Sequence, residues 1–149
     1  MTAAKSKTVA TWAALLGGPL GAHRFYLNGW KDPWGWALWL PTGAGLVGIQ
    51  RVSELGQDDH LAWLLLPVLG LTVASTMLQA IVYGLMPDEA WHQRHNGGQA
   101  RGLPPSGWAA IIGVILALLV GATVLMSTIA FSGQRFFEFQ IEEARKISQ

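Results

Sequence analysis

The chain contains no cysteine, which excludes structural disulfides and thiolate metal sites and leaves the redox compartment undetermined. It also lacks a nucleophile elbow, a phosphate-binding loop, an H-E-x-x-H pair and a paired-carboxylate site. We therefore expect neither an enzymatic activity nor a cofactor.

Charged residues are scarce, at 13% of 149 residues, whereas ordinary soluble domains contain roughly 25%. The formal net charge of +1 provides no broad basic surface, so we expect no nucleic-acid partner. In contrast, 51% of the residues are hydrophobic and eight are tryptophan, a residue that favours the membrane–water interface. A soluble domain of this size could not bury so much apolar surface. We therefore predict an all-α integral membrane protein with membrane lipid as a partner.

Four apolar segments predict four transmembrane helices arranged as two hairpins. The first hairpin covers residues 5–55, with spans at about residues 8–27 and 33–55. The second covers residues 56–131, with spans at about residues 61–86 and 108–131 and a short interfacial helix at residues 88–95. An amphipathic C-terminal helix, residues 132–149, is predicted to lie on the membrane surface.

Local signals predict where these helices begin and break. Asp32, Asp58 or Asp59, and Ser106 are candidate N-caps of the second, third and fourth spans. Pro41 is expected to interrupt the second span, because proline removes a helical hydrogen bond.

Lysines and arginines predict the orientation. Four spans put both termini on one side of the membrane, with six of the ten lysines and arginines there and four on the other side. This excess favours a cytoplasmic location for both termini.

Small residues recur every four positions along the fourth span, at Ala109, Gly113, Ala117 and Gly121. Such stripes let helix backbones approach closely where lipid provides no hydrophobic drive for association. The stripe is either the seam of a homo-oligomer or a packing surface within one chain. We favour the second interpretation, because four spans offer the stripe an internal partner.

The third span carries the polar residues Thr72, Thr76 and Gln79. They could line a path for a small solute, or the Gln79 amide could bond to another helix, which we favour. The two long spans lack the ionisable groups that pumps and proton-coupled transporters use. Their absence counts against that class of transporter and not against a passive pore.

Asp88, His92 and His95 fall at positions i, i+4 and i+7, on one face of a helix. Two imidazoles and a carboxylate could bind a divalent metal. Asp88 is also explained as a helix-start residue, and histidines suit an interface, so we expect no metal here.

The most informative motif is the run from Leu15 to Tyr26, Leu-Leu-Gly-Gly-Pro-Leu-Gly-Ala-His-Arg-Phe-Tyr. Its small residues permit close packing, and its last four residues favour water, headgroup phosphate or the interface. The residues of interest are Gly17, Gly21, His23, Arg24, Phe25 and Tyr26. Arg24 either recognises a lipid phosphate or a partner's carboxylate, or serves as an ordinary interfacial anchor. Asp32 is close enough in sequence to pair with it.

At these residues the chain resembles the TM-two domain family, small membrane proteins named for a two-helix hairpin. The family pattern is a Gly-rich apolar stretch followed by Gly-x-His-Arg-Phe-Tyr-Leu-Gly, from which Asn28 departs. The resemblance covers roughly residues 5–51, and four-span bacterial members with a Met-Pro-Asp-Glu segment look similar over the remainder. It implies a helical hairpin in a bacterial inner membrane, and it implies no particular reaction.

Two functions stay open on this basis. The first is a non-enzymatic scaffold or binding role through helix faces and the His-Arg-Phe-Tyr motif, with lipid, another membrane protein or a second copy as partner. The alternative is a small-solute channel or passive transporter formed by the bundle or an oligomer, which requires the polar residues of the third span to face one water path.

Overall fold

The structure is a computed structural model that describes residues 4–99 and 102–148. Within these residues every regular element is helical, as the composition predicts, and none is a strand. A 3-10 helix, Gly18–Leu20, follows the first α-helix. The α-helices are α1 (Lys7–Gly17), α2 (Ala22–Asn28), α3 (Pro33–Ala37), α4 (Trp39–Leu55), α5 (His60–Leu85), α6 (Asp88–His95) and α7 (Trp108–Ile147).

Two helices, α5 and α7, are long and apolar enough to cross a membrane. They contain 26 and 40 residues. At about 1.5 Å per residue they measure about 39 Å and 60 Å, whereas a hydrocarbon core is about 30 Å thick. The two helices run side by side in opposite directions, since Gly70 of α5 meets Thr128 of α7 and Met77 meets Gly121. This antiparallel pair is the frame of the fold.

The helices α1 and α2 form a tight antiparallel hairpin. The Tyr26 hydroxyl accepts a hydrogen bond from the Ser6 backbone N–H over 2.8 Å. The Lys5 ammonium donates to the Leu27 carbonyl, so the start of α1 lies beside the end of α2. Residues 8–27 therefore return to the end of the bundle from which they start, and they do not form the predicted span.

A glycine makes this reversal possible. Gly21 has a φ of 76°, a left-handed conformation that glycine adopts without a steric cost. A Cβ at this position would also lie 2.5 Å from the Gly35 carbonyl oxygen, so a side chain would push α3 away. The two helices joined here have only 11 and 7 residues, and neither is long enough to cross a bilayer.

The helix α4 continues along α5 where α1 stops. The partners of α5 change in order along its length, from α1 near Met86, through the 3-10 helix at Thr76, to α4 at Leu69. The Thr42 hydroxyl joins the two parts by donating to the Pro19 carbonyl over 2.7 Å. The path through α3 and α4 thus runs from the end where Asp32 meets Arg24 to the start of α5, with a break at Leu38. Residues 8–27 fold back instead, so the structure replaces only the first of the two predicted spans.

The break in the predicted span 33–55 lies at Leu38 rather than at Pro41. Pro41 stands in the first turn of α4, where a missing backbone N–H costs no helical hydrogen bond. Asp32 and Asp59 cap α3 and α5 as predicted. Their carboxylates accept hydrogen bonds from backbone N–H groups two and three residues on, at 3.1 Å and 3.0 Å.

The fourth predicted span and the predicted surface helix are one helix, α7, which does not break at Gly133. Each residue that extends a formed helix adds a backbone hydrogen bond. Ion pairs between residues one turn apart stabilise the extended helix further. These pairs are Arg135–Glu138 and Glu143–Lys146. Within the described part of residues 132–149, the structure therefore continues α7 and shows no separate tail helix.

An ion pair between a buried lysine and a half-buried aspartate fastens α1 to α6. The Lys7 ammonium lies 2.7 Å from an Asp88 carboxylate oxygen, and the Lys7 side chain is only 9% exposed. Asp88 also accepts hydrogen bonds from the Ser106 hydroxyl and backbone N–H, at 2.6 Å and 3.1 Å. The hydrogen bond from Lys7 and then that from Ser106 lower the pKa of Asp88 to about 2. The predicted N-cap Ser106 therefore binds Asp88 instead, and the N-cap residue of α7 is Gly107.

These contacts place residues 4–7 at the α6 end of the bundle. The Lys5 backbone N–H donates to the Asn96 side-chain oxygen, and the Trp91 indole N–H donates to the Lys5 carbonyl, both over 2.8 Å. The C-terminal part of α7 lies at the opposite end, where the Arg135 guanidinium is 5.2 Å from the centre of the Trp63 ring. Residues 4–7 and the C-terminal part of α7 thus lie at opposite ends of the bundle, whereas the four predicted spans would bring them to the same end.

We expect Gly121→Ala to destabilise the bundle. A Cβ at this position would lie 2.8 Å from the Met77 Cβ, and such overpacking costs about 1–3 kcal/mol. The melting temperature in mild detergent should fall by roughly 5 °C. Gly133→Ala is the matched control, since a Cβ there meets no atom within 4 Å. Equal melting temperatures for the two variants would contradict the packing described here.

We expect Asp88→Asn to lower the melting temperature by roughly 5 °C near neutral pH, because it leaves the buried Lys7 ammonium without an anion. The pKa of Asp88 falls from 3.8 to about 2 on folding. The carboxylate therefore stabilises the fold fully above about pH 5 and loses this effect as the pH falls from about 4 towards 2. Thermal melts of wild type and variant should differ equally at about pH 7 and 5 and converge towards about pH 3.

The exposed neighbour Glu89 supplies the control for this prediction. Glu89→Gln removes one carboxylate from the same helix turn without touching Lys7, and it should leave the melting temperature unchanged. An Asp88→Asn effect no larger than that of Glu89→Gln would refute the role of the ion pair.

Candidate functional site

Asp32 holds the arginine of the His-Arg-Phe-Tyr motif in place. The Nε of Arg24 lies 2.7 Å from one Asp32 carboxylate oxygen, and its Nη2 lies 3.4 Å from the other. Asn28 donates to the same carboxylate over 2.8 Å. These hydrogen bonds lower the pKa of Asp32 to about 2 and keep the carboxylate charged, and the bond from Arg24 has the largest effect. Arg24 is thus oriented by the protein.

The histidine and glycines of the motif pack the α1–α2 hairpin. His23 is 2% exposed, and its ring centre lies 6.0 Å from that of Tyr83. Its Nδ1 has no hydrogen-bond partner among the described residues. A Cβ on Gly17 would lie 2.6 Å from the Ala22 Cβ, so this glycine lets the two helices touch.

The motif phenylalanine belongs to an aromatic cluster around α2 and α3. Neighbouring ring centres are 4.9 Å to 5.8 Å apart in the series Phe25, Trp30, Trp36 and Trp39. Gly35 admits the Phe25 ring, because a Cβ there would lie 2.5 Å from it. The tryptophans stay substantially exposed, as is typical of rings at a membrane interface.

Arg24 lines a cavity of about 540 Å³, which we call the arginine cavity. Its walls come from α2, α5 and α6, and its described lining contains two arginines and no carboxylate. Burial is the main cause that lowers the pKa of His95, so the positive charge comes from the arginines. The lining residues are Arg24, Leu27, Asn28, Gln79, Val82, Tyr83, Met86, Arg94 and His95.

The polar residues predicted on α5 do not line one path. Thr72 and Thr76 are buried, and their hydroxyls donate to carbonyls of their own helix over 2.7 Å and 2.9 Å. Gln79 lies on an exposed part of α5 and lines the arginine cavity. The shared water path that a channel requires is therefore not formed by these three residues.

The candidate metal ligands on α6 have separate partners. Asp88 forms the ion pair described above, and the Nδ1 of His92 lies 2.9 Å from the Asn96 side-chain nitrogen. The His95 ring stacks on Trp91, with ring centres 4.2 Å apart. In the part of the chain that the structure describes, no group of three or more His, Asp or Glu side chains could hold a metal ion.

The small-residue stripe of α7 packs inside the chain. Gly113, Ala117 and Gly121 are buried, with Gly113 against α1 and Gly121 against α5. Ala109 is exposed, and Ala110 takes its place in the stripe. The shift by one residue arises because a helix turn has 3.6 residues, so a strict spacing of four drifts away from one face.

Sequence reasoning did not identify Asn28, Tyr83 or Arg94 as neighbours of Arg24. The short separation of Asn28 from Asp32 was a local signal, because only the turn between α2 and α3 lies between them. Arg94 and Tyr83 reach the cavity from α6 and α5, and no local pattern connects those helices with α2.

No curated protein and no solved structure matches the chain. The family model described as the TM2 domain matches residues 3–52, which include the whole motif and Asp32 and end before α5. The N-terminal third of the chain thus matches the TM2 domain, as the motif indicated, and together with the apolar helices α5 and α7 this match points to a membrane protein.

Proposed function

We propose that the chain is a non-enzymatic membrane protein that acts by binding, and that the arginine cavity is its binding site. The observation that carries the proposal is the setting of Arg24. Asp32 orients its guanidinium from 2.7 Å away, at the wall of a cavity of about 540 Å³. Oriented guanidinium groups are typical of sites that recognise anions. A side chain that only anchored the protein would not need to line a cavity.

The cavity is suited to a ligand at the membrane surface. Tyr83 and Met86 place it at the end of α5, and the exposed rings of Trp30 and Trp36 lie on the adjoining α2–α3 segment. Because tryptophan rings favour the headgroup region, the ligand is a lipid headgroup or a segment of another membrane protein at that depth.

We further propose that the α6 end faces the cytoplasm of a bacterial cell, with the chain in the inner membrane. The bacterial setting follows from the resemblance to bacterial members of the family. At the α6 end the described cationic residues are Lys5, Lys7, Arg24, Lys31 and Arg94, and at the other end they are Arg51, Arg135, Arg145 and Lys146. The excess of five over four at the α6 end supports this orientation under the positive-inside rule. In this orientation residues 4–7 face the cytoplasm and residues 134–148 face the other side.

We expect Arg24→Lys to reduce the lipid or protein that co-purifies with the chain by about tenfold. Lysine keeps the positive charge but lacks the planar fork that can hold Asp32 and a ligand together. The measurement is mass spectrometry of the components that co-purify in mild detergent, at matched yield and membrane insertion.

The control for this variant is Arg51→Lys. Arg51 pairs with Asp59 in the same way, with its Nε 2.6 Å from a carboxylate oxygen, but it lies at the opposite end of the bundle. This control should lose the ion-pair geometry and keep the co-purified component. If Arg24→Lys keeps the wild-type profile as well, binding through Arg24 is wrong.

A further inference from the structure

The arginine cavity offers more hydrogen-bond donors than acceptors. Arg24 uses Nε and Nη2 on Asp32 and retains Nη1. Arg94 has no ion-pair partner among the described residues, so its five N–H groups face no carboxylate. Among the described lining residues, the side-chain oxygens are those of the Asn28 and Gln79 amides and the Tyr83 hydroxyl. A complementary ligand is therefore rich in acceptors.

The charge in the cavity is also one-sided. Asp32 balances Arg24, whereas no carboxylate in the described lining balances Arg94. Three apolar side chains, Leu27, Val82 and Met86, form part of the wall beside these charges. The ligand that suits this cavity is an anion.

We infer that this ligand carries a phosphate group bound by Arg24 and Arg94, an inference that rests on the proposed binding function. A phosphate diester presents acceptor oxygens and no donor, and its geometry matches paired guanidinium N–H groups. The cavity of about 540 Å³ is larger than a phosphate, so the apolar wall contacts the organic group attached to it. A phospholipid headgroup and a soluble phosphate ester share this chemistry.

The first test compares two lipids on the full chain in a non-ionic, phosphate-free detergent. Phosphatidylglycerol is the probe, and diacylglycerol with the same acyl chains is the matched lipid without phosphate. Native mass spectrometry should show one tightly bound phosphatidylglycerol and no bound diacylglycerol at the same concentration. Equal binding of the two lipids would overturn the inference, and this comparison needs no variant.

The second test removes the charge that has no counter-charge. Arg94→Gln should weaken phosphatidylglycerol binding about tenfold. Arg145→Gln is the control, because this exposed arginine lies in the last turn of α7 at the other end, and its binding should equal that of wild type. Unchanged binding by Arg94→Gln at an unchanged melting temperature would also overturn the inference.

Glycerol 3-phosphate separates the two sources of phosphate. Displacement of phosphatidylglycerol by this compound supports a soluble phosphate ester, and failure to displace it while the lipid stays bound supports a lipid headgroup. Failure of the phosphate inference can be distinguished from failure of the proposed binding function. If a component co-purifies in an Arg24-dependent way but contains no phosphate, the proposed binding function stands and the phosphate inference is wrong. If no component co-purifies in an Arg24-dependent way, both are wrong.

Discussion

The ion pair between Lys7 and Asp88 determines the path of the N-terminal helices. The Lys7 side chain is 9% exposed, and a buried charge without a partner is destabilising. Its carboxylate partner begins α6 and also binds Ser106, so the starts of α1, α6 and α7 meet at one end of the bundle. From that end α1 extends for only 11 residues and stops part of the way along α5. The segment that matches the TM2 domain therefore forms the hairpin of α1 and α2 at the α6 end, where α2 contributes a wall of the cavity. Its helix α4 then extends to the opposite end of the bundle.

A repeated turn explains the orientation of Arg24. In each copy an arginine is followed after five residues by a glycine and after eight by the aspartate that caps the next helix: Arg24, Gly29 and Asp32, then Arg51, Gly56 and Asp59. The glycine φ values of 86° and 88° are nearly equal, and the arginine lowers the pKa of the aspartate in both copies. The turn by itself ends one helix and begins another. The first copy differs by lining a cavity that Arg94 also lines, so the binding that we propose depends on both arginines.

Local features of the fold followed from the sequence, and its long-range path did not. The apolar runs predicted α5 and α7, and the caps at Asp32 and Asp59 depend on neighbours two or three residues away. A short apolar segment has the same composition whether it crosses a membrane or folds back. Here the choice depends on the left-handed turn at Gly21 and on contacts of Lys7 far along the chain. Arg94 escaped prediction for the same reason, because α6 brings it to α2 only in the folded bundle.

The central claim, that residues 4–7 and α6 share one end of the bundle, is tested most directly by side-specific labelling. The chain has no cysteine, so single cysteines at Ser6, Asp58, Gly98 and Ser148 can be labelled with a membrane-impermeant maleimide in intact and permeabilised cells. The account predicts that Ser6→Cys and Gly98→Cys label from one side and that Asp58→Cys and Ser148→Cys label from the other. Labelling of Ser6→Cys from the same side as Asp58→Cys would contradict it.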